Sequence, residues 1–220
     1  MIRRFAAASI VALAALSACS DDTVTDETSS SEETSATPTY EELTPEGTAD
    51  GGEEGTEGRM TVEGDVVTSK DDRYSLTLVD GWQAYPAPLD ENVNLTVLLV
   101  SGVNNSAFVP NIVGTWVDAA PGVPTAFEEW EEPASNSFRT GVENPDDVVI
   151  GPAMTLSVDG NEVEGLEVTR VMDGLEITQL VYPIFSDDGL QEVAFSASAE
   201  EFGELQADVE EMLSSVASAD

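Results

Sequence analysis

The chain has 220 residues, with 44 Asp or Glu against 7 Lys or Arg, no histidine, one cysteine and a net charge of −37. An excess of this sign keeps a molecule soluble and repels phosphate, so nucleic acid is excluded as a partner and direct adhesion to anionic headgroups is disfavoured. Without histidine there is no Ser-His-Asp or Cys-His nucleophile, and with a single cysteine there is neither an intrachain disulfide nor a Cys/His zinc site.

The chain opens with Met1, Arg3 and Arg4, an apolar run over 5–16, and then Leu16-Ser17-Ala18-Cys19. A positive start, a short apolar middle and small residues before a cut site make a secretory signal. The run is shorter than the roughly 20 apolar residues that a membrane span needs. Its end resembles a bacterial lipobox, so residues 1–18 are expected to be removed and Cys19 to carry a diacylglycerol as the first residue of the mature chain. Acylation also consumes the lone thiol. Each buried methylene adds roughly 0.8 kcal/mol, and two or more acyl chains hold stably. The expected location is the outer face of the cytoplasmic membrane, with the membrane as a partner through the anchor on Cys19.

Residues 19–61 hold Thr, Ser, Glu, Asp and Gly with few aliphatic side chains, as in Gly51-Gly52-Glu53-Glu54-Gly55. Such a segment buries too little apolar surface to offset chain entropy, and is expected to be a disordered acidic tether. A flexible tether of about 45 residues reaches roughly 35–40 Å r.m.s..

From residue 62 the pattern becomes regular and predicts one α+β domain over 62–220. Strands are expected over 62–68 and 74–79, the second with Tyr74, Leu76 and Leu78 on one face before an Asp80-Gly81 turn. Trp82 follows the turn, and Pro86 and Pro88 interrupt further pairing. Aliphatic runs over 93–100 and 112–117 predict two more strands, the latter introduced by Phe108-Val109-Pro110-Asn111. A loop with Pro121, Gly122 and Pro124 then leads to Thr125, the expected cap of a helix beginning Ala126-Phe127-Glu128-Glu129-Trp130. Pro133 is expected to delimit or kink it, with helical character resuming through Phe138.

Three Asp-Gly dipeptides, at 159–160, 173–174 and 188–189, separate β-rich runs over 148–158, 163–172, 175–185 and 190–197. Asp-Gly tolerates the positive φ of tight hairpins, so these runs predict a four-stranded antiparallel meander. At the C-terminal end Phe202, Leu205, Val209, Met212, Leu213 and Val216 fall on one helical face, with Ser198 as the expected cap. The opposite face is acidic where a membrane-surface helix would carry Lys and Arg, so this helix is expected to dock on the sheet. The expected architecture is an antiparallel sheet of about six or seven strands flanked by helices.

The stretch Tyr74-Ser75-Leu76-Thr77-Leu78-Val79-Asp80-Gly81-Trp82, then Phe108-Val109-Pro110-Asn111-Ile112, and the closing helix resemble actinobacterial lipoproteins of the LpqN/LpqT type. The resemblance covers roughly residues 70–220 and implies a PsbP-like α/β/α sandwich. It supplies no catalytic set. It implies Cys19 as the lipidated residue and marks Trp82, Pro110 and Asn111 as a candidate ligand or partner surface. The acidic run before residue 62 departs from the family pattern.

Carboxylate pairs for glycoside cleavage carry little information in so acidic a chain. Asp187-Asp188 and Asp159-Gly160-Asn161-Glu162 lack the spacing of a calcium loop and read as hairpin turns. Asn111 either closes a turn or orients a ligand, and Arg139 and Arg170 either pair with carboxylates at the edge of the core, the default, or mark the only sites that welcome an anion. No cofactor and no metal are expected. The expected function is a non-enzymatic, lipid-anchored interaction or scaffold module of the cell envelope, monomeric, with an unidentified envelope protein as partner. The other reading is a carrier of a small apolar or lipid ligand held between sheet and helix.

Overall fold

The computed structural model describes residues 59–85, 89–100, 108–140, 142, 144–172 and 174–218. The expected signal, Cys19 and the acidic segment up to residue 58 lie outside them, as do Pro86, Pro88 and Asp173.

In chain order, Thr61–Glu63 (β1) and Val66–Thr68 (β2) form a hairpin. The single strand expected over 62–68 is thus two, because Gly64-Asp65 reverses the chain. Tyr74–Thr77 (β3) pairs with β2, and Trp82–Ala84 (β4) follows the Asp80-Gly81 turn. Val93–Leu99 (β5) and Asn111–Asp118 (β6) match the next two predicted runs to within a residue or so.

Phe127–Phe138 (α1) runs unbroken through Pro133. Its N-cap is Ala126, not Thr125. Thr125 instead donates its backbone N–H and its hydroxyl to the Glu129 carboxylate, at 3.0 and 3.2 Å. That carboxylate faces the positive end of the helix dipole.

The run expected over 148–158 divides into Val149–Pro152 (β7) and Leu156–Val158 (β8), and the next into Asn161–Val163 (β9) and Leu166–Met172 (β10). Leu175–Ser186 (β11) and Gly189–Ser198 (β12) follow as predicted. Ala199–Ser214 (α2) has Ser198 at its N-cap, and Ala217–Ser218 (β13) ends the described chain. The Ser198 hydroxyl makes no cap bond to the backbone and donates to Glu201 at 2.6 Å.

Seven strands form one antiparallel sheet in the order β4-β5-β6-β12-β11-β10-β7. The predicted meander is its β7-β10-β11-β12 half. A second sheet, β1-β2-β3-β13, and the β8-β9 ribbon stand apart from it. The ribbon swings out between β7 and β10 at Gly165, where a Cβ would lie 2.5 Å from the Tyr182 ring and 2.7 Å from the Val181 carbonyl oxygen. No residue with a side chain fits there without displacing backbone.

Strand alternation sorts the core into two layers. Leu180 and Tyr182 of β11, with Val193, Phe195 and Ala197 of β12, face α2 and the small sheet. Val181 between them, with Leu166, Val168 and Leu190, faces Trp130, Ala134 and Phe138 of α1. The helices therefore cover opposite faces, and the fold is an α/β/α sandwich of the α+β class. The predicted stripe of α2 docks as expected: Val209, Met212 and Leu213 are buried against the sheet.

Candidate functional site

The three positions marked in the sequence do not converge. Trp82 is closed into the α2-side core at 3% exposure, edge-on to Phe195 at 6.2 Å, and its Nε1 is buried with no partner among the described residues. Pro110 is buried at the start of β6, and its carbonyl accepts the Leu99 N–H at 3.0 Å. Asn111 pairs in register with Ser196 and Leu98, and its Nδ2 donates to the Val109 carbonyl at 3.0 Å. Along β6 Asn111 precedes Ile112, which belongs to the same α2-side core as Trp82, so the Asn111 side chain is on the other face of the sheet.

An apolar ligand held between sheet and helix would need the space beneath α2. That space is filled by Val209, Met212 and Leu213 against Val97 and Phe195, all at 0–1% exposure.

Open surface is found instead at one end of the sheet. β10 pairs with β11 only as far as Leu166 opposite Val181, whereas β12 continues along β11 to Gly189 opposite Ser186. Residues 182–186 therefore have a hydrogen-bonded strand neighbour on one side only, while β9 lies close by on the other. Beside this stretch lies a groove of about 410 Å³. It is lined by Tyr74, Val158, Val163 and Ile184, which pack on the α2 side of the sheet, by Phe127 and Phe185, which pack on the α1 side, and by Pro183. Glu128, Asp159, Glu162 and Glu164 line its rim, and no Lys or Arg is among its lining residues. A second depression of about 340 Å³ shares Phe185 and Ser186 with it and adds Asp187.

Hydrogen bonds tie the elements around the groove together. Asp159 and Gly160, at φ +51° and +79°, make the tight turn of the ribbon. The Asp159 carboxylate accepts the Ser218 N–H and hydroxyl at 3.0 and 2.9 Å, tying the ribbon to β13. The Tyr182 hydroxyl donates to the Met154 carbonyl at 2.9 Å, and burial pushes its pKa to about 12. Burial likewise raises the Tyr74 hydroxyl, which is hydrogen-bonded to Ser186 and lies near Asp159. Both phenols are neutral hydrogen-bonding groups at physiological pH, so the groove's charge is that of its carboxylates.

Three other polar arrangements are internal. Arg170, 6% exposed, pairs with no carboxylate among the described residues, contrary to the default sequence expectation. It donates to the Phe138 carbonyl at 3.3 Å and to Gln179 Oε1 at 2.7 Å, and lies 5.4 Å from the Phe138 ring centroid. Arg170 thus brings a second cation, from the sheet, to the C-terminal end of α1, where the C-cap residue is Arg139. Desolvation lowers the pKa of Arg170. Arg139 is exposed and donates to the Ser135 carbonyl at 3.3 Å.

Glu192 lies beneath α1, where Trp130 Nε1 and the Thr115 hydroxyl hydrogen-bond its carboxylate. Burial raises its pKa, with the two hydrogen bonds opposing. On the other face Asn94 and Gln191 exchange amide hydrogen bonds at 2.7 and 3.1 Å, and Asn94 also donates to Asp71 at 3.1 Å. The ion pairs formed among the described residues both belong to Arg73, to Asp71 at 3.6 Å and Asp118 at 3.8 Å, and its guanidinium sits 4.2 Å from the Trp116 ring centroid. Among the described residues, no group of three or more potential ligands could hold a metal, and no helix is long and apolar enough to cross a membrane.

The groove residues are absent from the set that the sequence marks. Phe127-Glu128 reads as a helix start, and Asp159-Gly160-Asn161-Glu162 as a turn. Each reading is structurally right, but neither local pattern reveals that the two segments flank one groove.

No protein-family profile matches the sequence, and no curated relative matches it. Solved structures to which the chain is similar include LpqN of Mycobacterium tuberculosis, described as involved in cell envelope biogenesis. That match has 12% identity and a TM-score of 0.46, over 67% of this chain and 83% of that one. A Pseudomonas aeruginosa protein of unknown function gives 13%, 0.45, 71% and 95% in the same order. Cyanobacterial PsbP of Synechocystis gives 12%, 0.33, 72% and 92%.

Proposed function

We propose that this chain is a lipid-anchored, extracytoplasmic interaction module that works by binding and not by catalysis. Cys19 carries the anchor, the acidic segment 19–61 stands between bilayer and domain, and the α/β/α body presents its open groove to a partner. The single observation that supports this reading best is that groove. It brings apolar side chains and exposed carboxylates together around one open depression, as a recognition surface does. The chain's carboxylates repel anionic lipid, which favours a protein partner over the bilayer surface itself.

The test is photo-crosslinking in a bacterium that expresses the full chain. A photoreactive residue is placed at Asn161, on the groove rim, or at Gln206, exposed on α2. Discrete protein adducts from position 161 and none from 206 are expected. Adducts from neither position, or the same adducts from both, would overturn the reading.

A further inference from the structure

The partner's chemistry can be read from the groove, on the premise that the groove is the binding surface proposed above. β9 already lies against β11 there, so no further strand pairs with the sheet and an occupant is held through its side chains. The lining offers such side chains two kinds of surface. Phe127, Val163, Ile184 and Phe185 are each half-buried and leave apolar area open in the depression. Beside them stand the exposed carboxylates of Glu128, at the start of α1, and of Glu162 and Glu164, from the ribbon.

Those three carboxylates are uncommitted. Asp159, the fourth of the lining, accepts the Ser218 N–H and hydroxyl. The side chains of Glu128, Glu162 and Glu164 form neither a hydrogen bond nor an ion pair among the described residues, and no Lys or Arg lines the groove. Carboxylates are common on this chain, but Glu204, Asp208 and Glu211 of α2 stand on the solvent side of a helix whose apolar stripe is buried. In the groove, free negative charge and open apolar surface occur together. An apolar stem ending in a cation is the build of a Lys or Arg side chain, and it satisfies both. An acidic occupant would be repelled by the rim. That rules against a second copy of this chain, with its net charge of −37.

We propose that the groove receives Lys or Arg side chains from a basic surface of a partner protein. Their stems lie on the apolar lining and their cationic heads meet Glu128, Glu162 and Glu164. With carboxylates on both α1 and the ribbon, the groove has room to engage more than one such head. Rim charge then selects the partner, and the apolar contact separates it from a cation held merely by the protein's overall field.

Any cationic molecule is drawn to so acidic a protein, so two triple variants of equal charge are compared: E128Q/E162Q/E164Q in the groove and E204Q/D208N/E211Q on exposed α2. The first probe is a fluorescent peptide of three arginines spaced by glycines, its binding read by anisotropy with the full-length chain in neutral detergent at physiological salt. The groove variant should weaken binding at least about tenfold and the α2 variant less than about twofold, with both keeping the wild-type circular dichroism spectrum. The same peptide with citrulline for arginine should not bind. The second measurement carries each triple variant into the cells with the photoreactive residue at 161. Protein adducts should be lost with the groove variant and kept with the α2 variant. Equal weakening of the peptide by both variants, undiminished binding of the citrulline peptide, or adducts that survive the groove substitutions would overturn the proposal. Surviving adducts would leave the interaction-module reading standing, whereas no adduct even without the substitutions would remove that reading and this proposal with it.

Discussion

Glu192 shows how one buried group ties stability to pH. Its carboxyl is held above the ordinary carboxylate range by burial, and Trp130 and Thr115 only partly offset that. Between the unfolded pKa and the higher folded one the native state binds more protons than the unfolded state. Stability therefore falls as pH rises through that window, and the contribution is fully present only below it. Glu192→Gln keeps an acceptor for Trp130 Nε1 and removes the charge. We expect this variant to melt above wild type at pH 7 and with it at pH 4, followed by circular dichroism. A variant that melts below wild type at pH 7 would show that the ionised carboxylate is worth more to the fold than its desolvation costs. Nothing in the sequence marks Glu192 among its acidic neighbours, because its burial comes from α1 crossing the sheet some 60 residues away in the chain.

At the scale of elements, legibility depends on whether the signal is local. The stripe of α2 and the β10-β11 and β11-β12 hairpins are written in consecutive residues, and they form as predicted. Of the runs that divide, the one over 62–68 does so at Gly64, the one over 163–172 at Gly165 and the one over 148–158 at residues 153–155. Gly64 belongs to a Gly-Asp turn, while Gly165 is demanded by Tyr182, which no local pattern can announce. The groove is illegible for the same reason. It is assembled from residues 74, 127–128, 158–159, 161–164, 183–186 and 218, and it forms where the ribbon turns away from β11 beyond the end of β10 pairing. Helix α1 carries a testable flaw. Pro133 lies inside it, exposed, and leaves the Glu129 carbonyl without its N–H partner. Pro133→Ala should stabilise the domain by about 1–2 kcal/mol in urea unfolding, the helix gain exceeding the loss of proline's constraint on the unfolded chain. An unchanged or lower midpoint would mean that the turn around residue 133 gains nothing from a completed hydrogen-bond ladder.

The whole molecule is governed by its charge. With ion pairs only at Arg73 among the described residues, most carboxylates face solvent without a cation to balance them. Raising salt from about 0.1 to 1 M shortens the screening length from about 10 to 3 Å, which relieves repulsion between neighbouring surface charges. The melting temperature of the chain should rise by several degrees over that range, and a flat response would mean that the carboxylates are already too dispersed to oppose folding. The same excess explains why the domain is read as held near the membrane by a covalent lipid and not by its surface.

Cys19 underlies the proposed placement and role alike, and the intact mass of the protein extracted from bacterial membranes tests it most directly. The predicted result is the mass of residues 19–220 plus at least a diacylglyceryl group, lost together with membrane retention in Cys19→Ser. An unacylated mass, or wild-type protein recovered in the soluble fraction, would contradict the account.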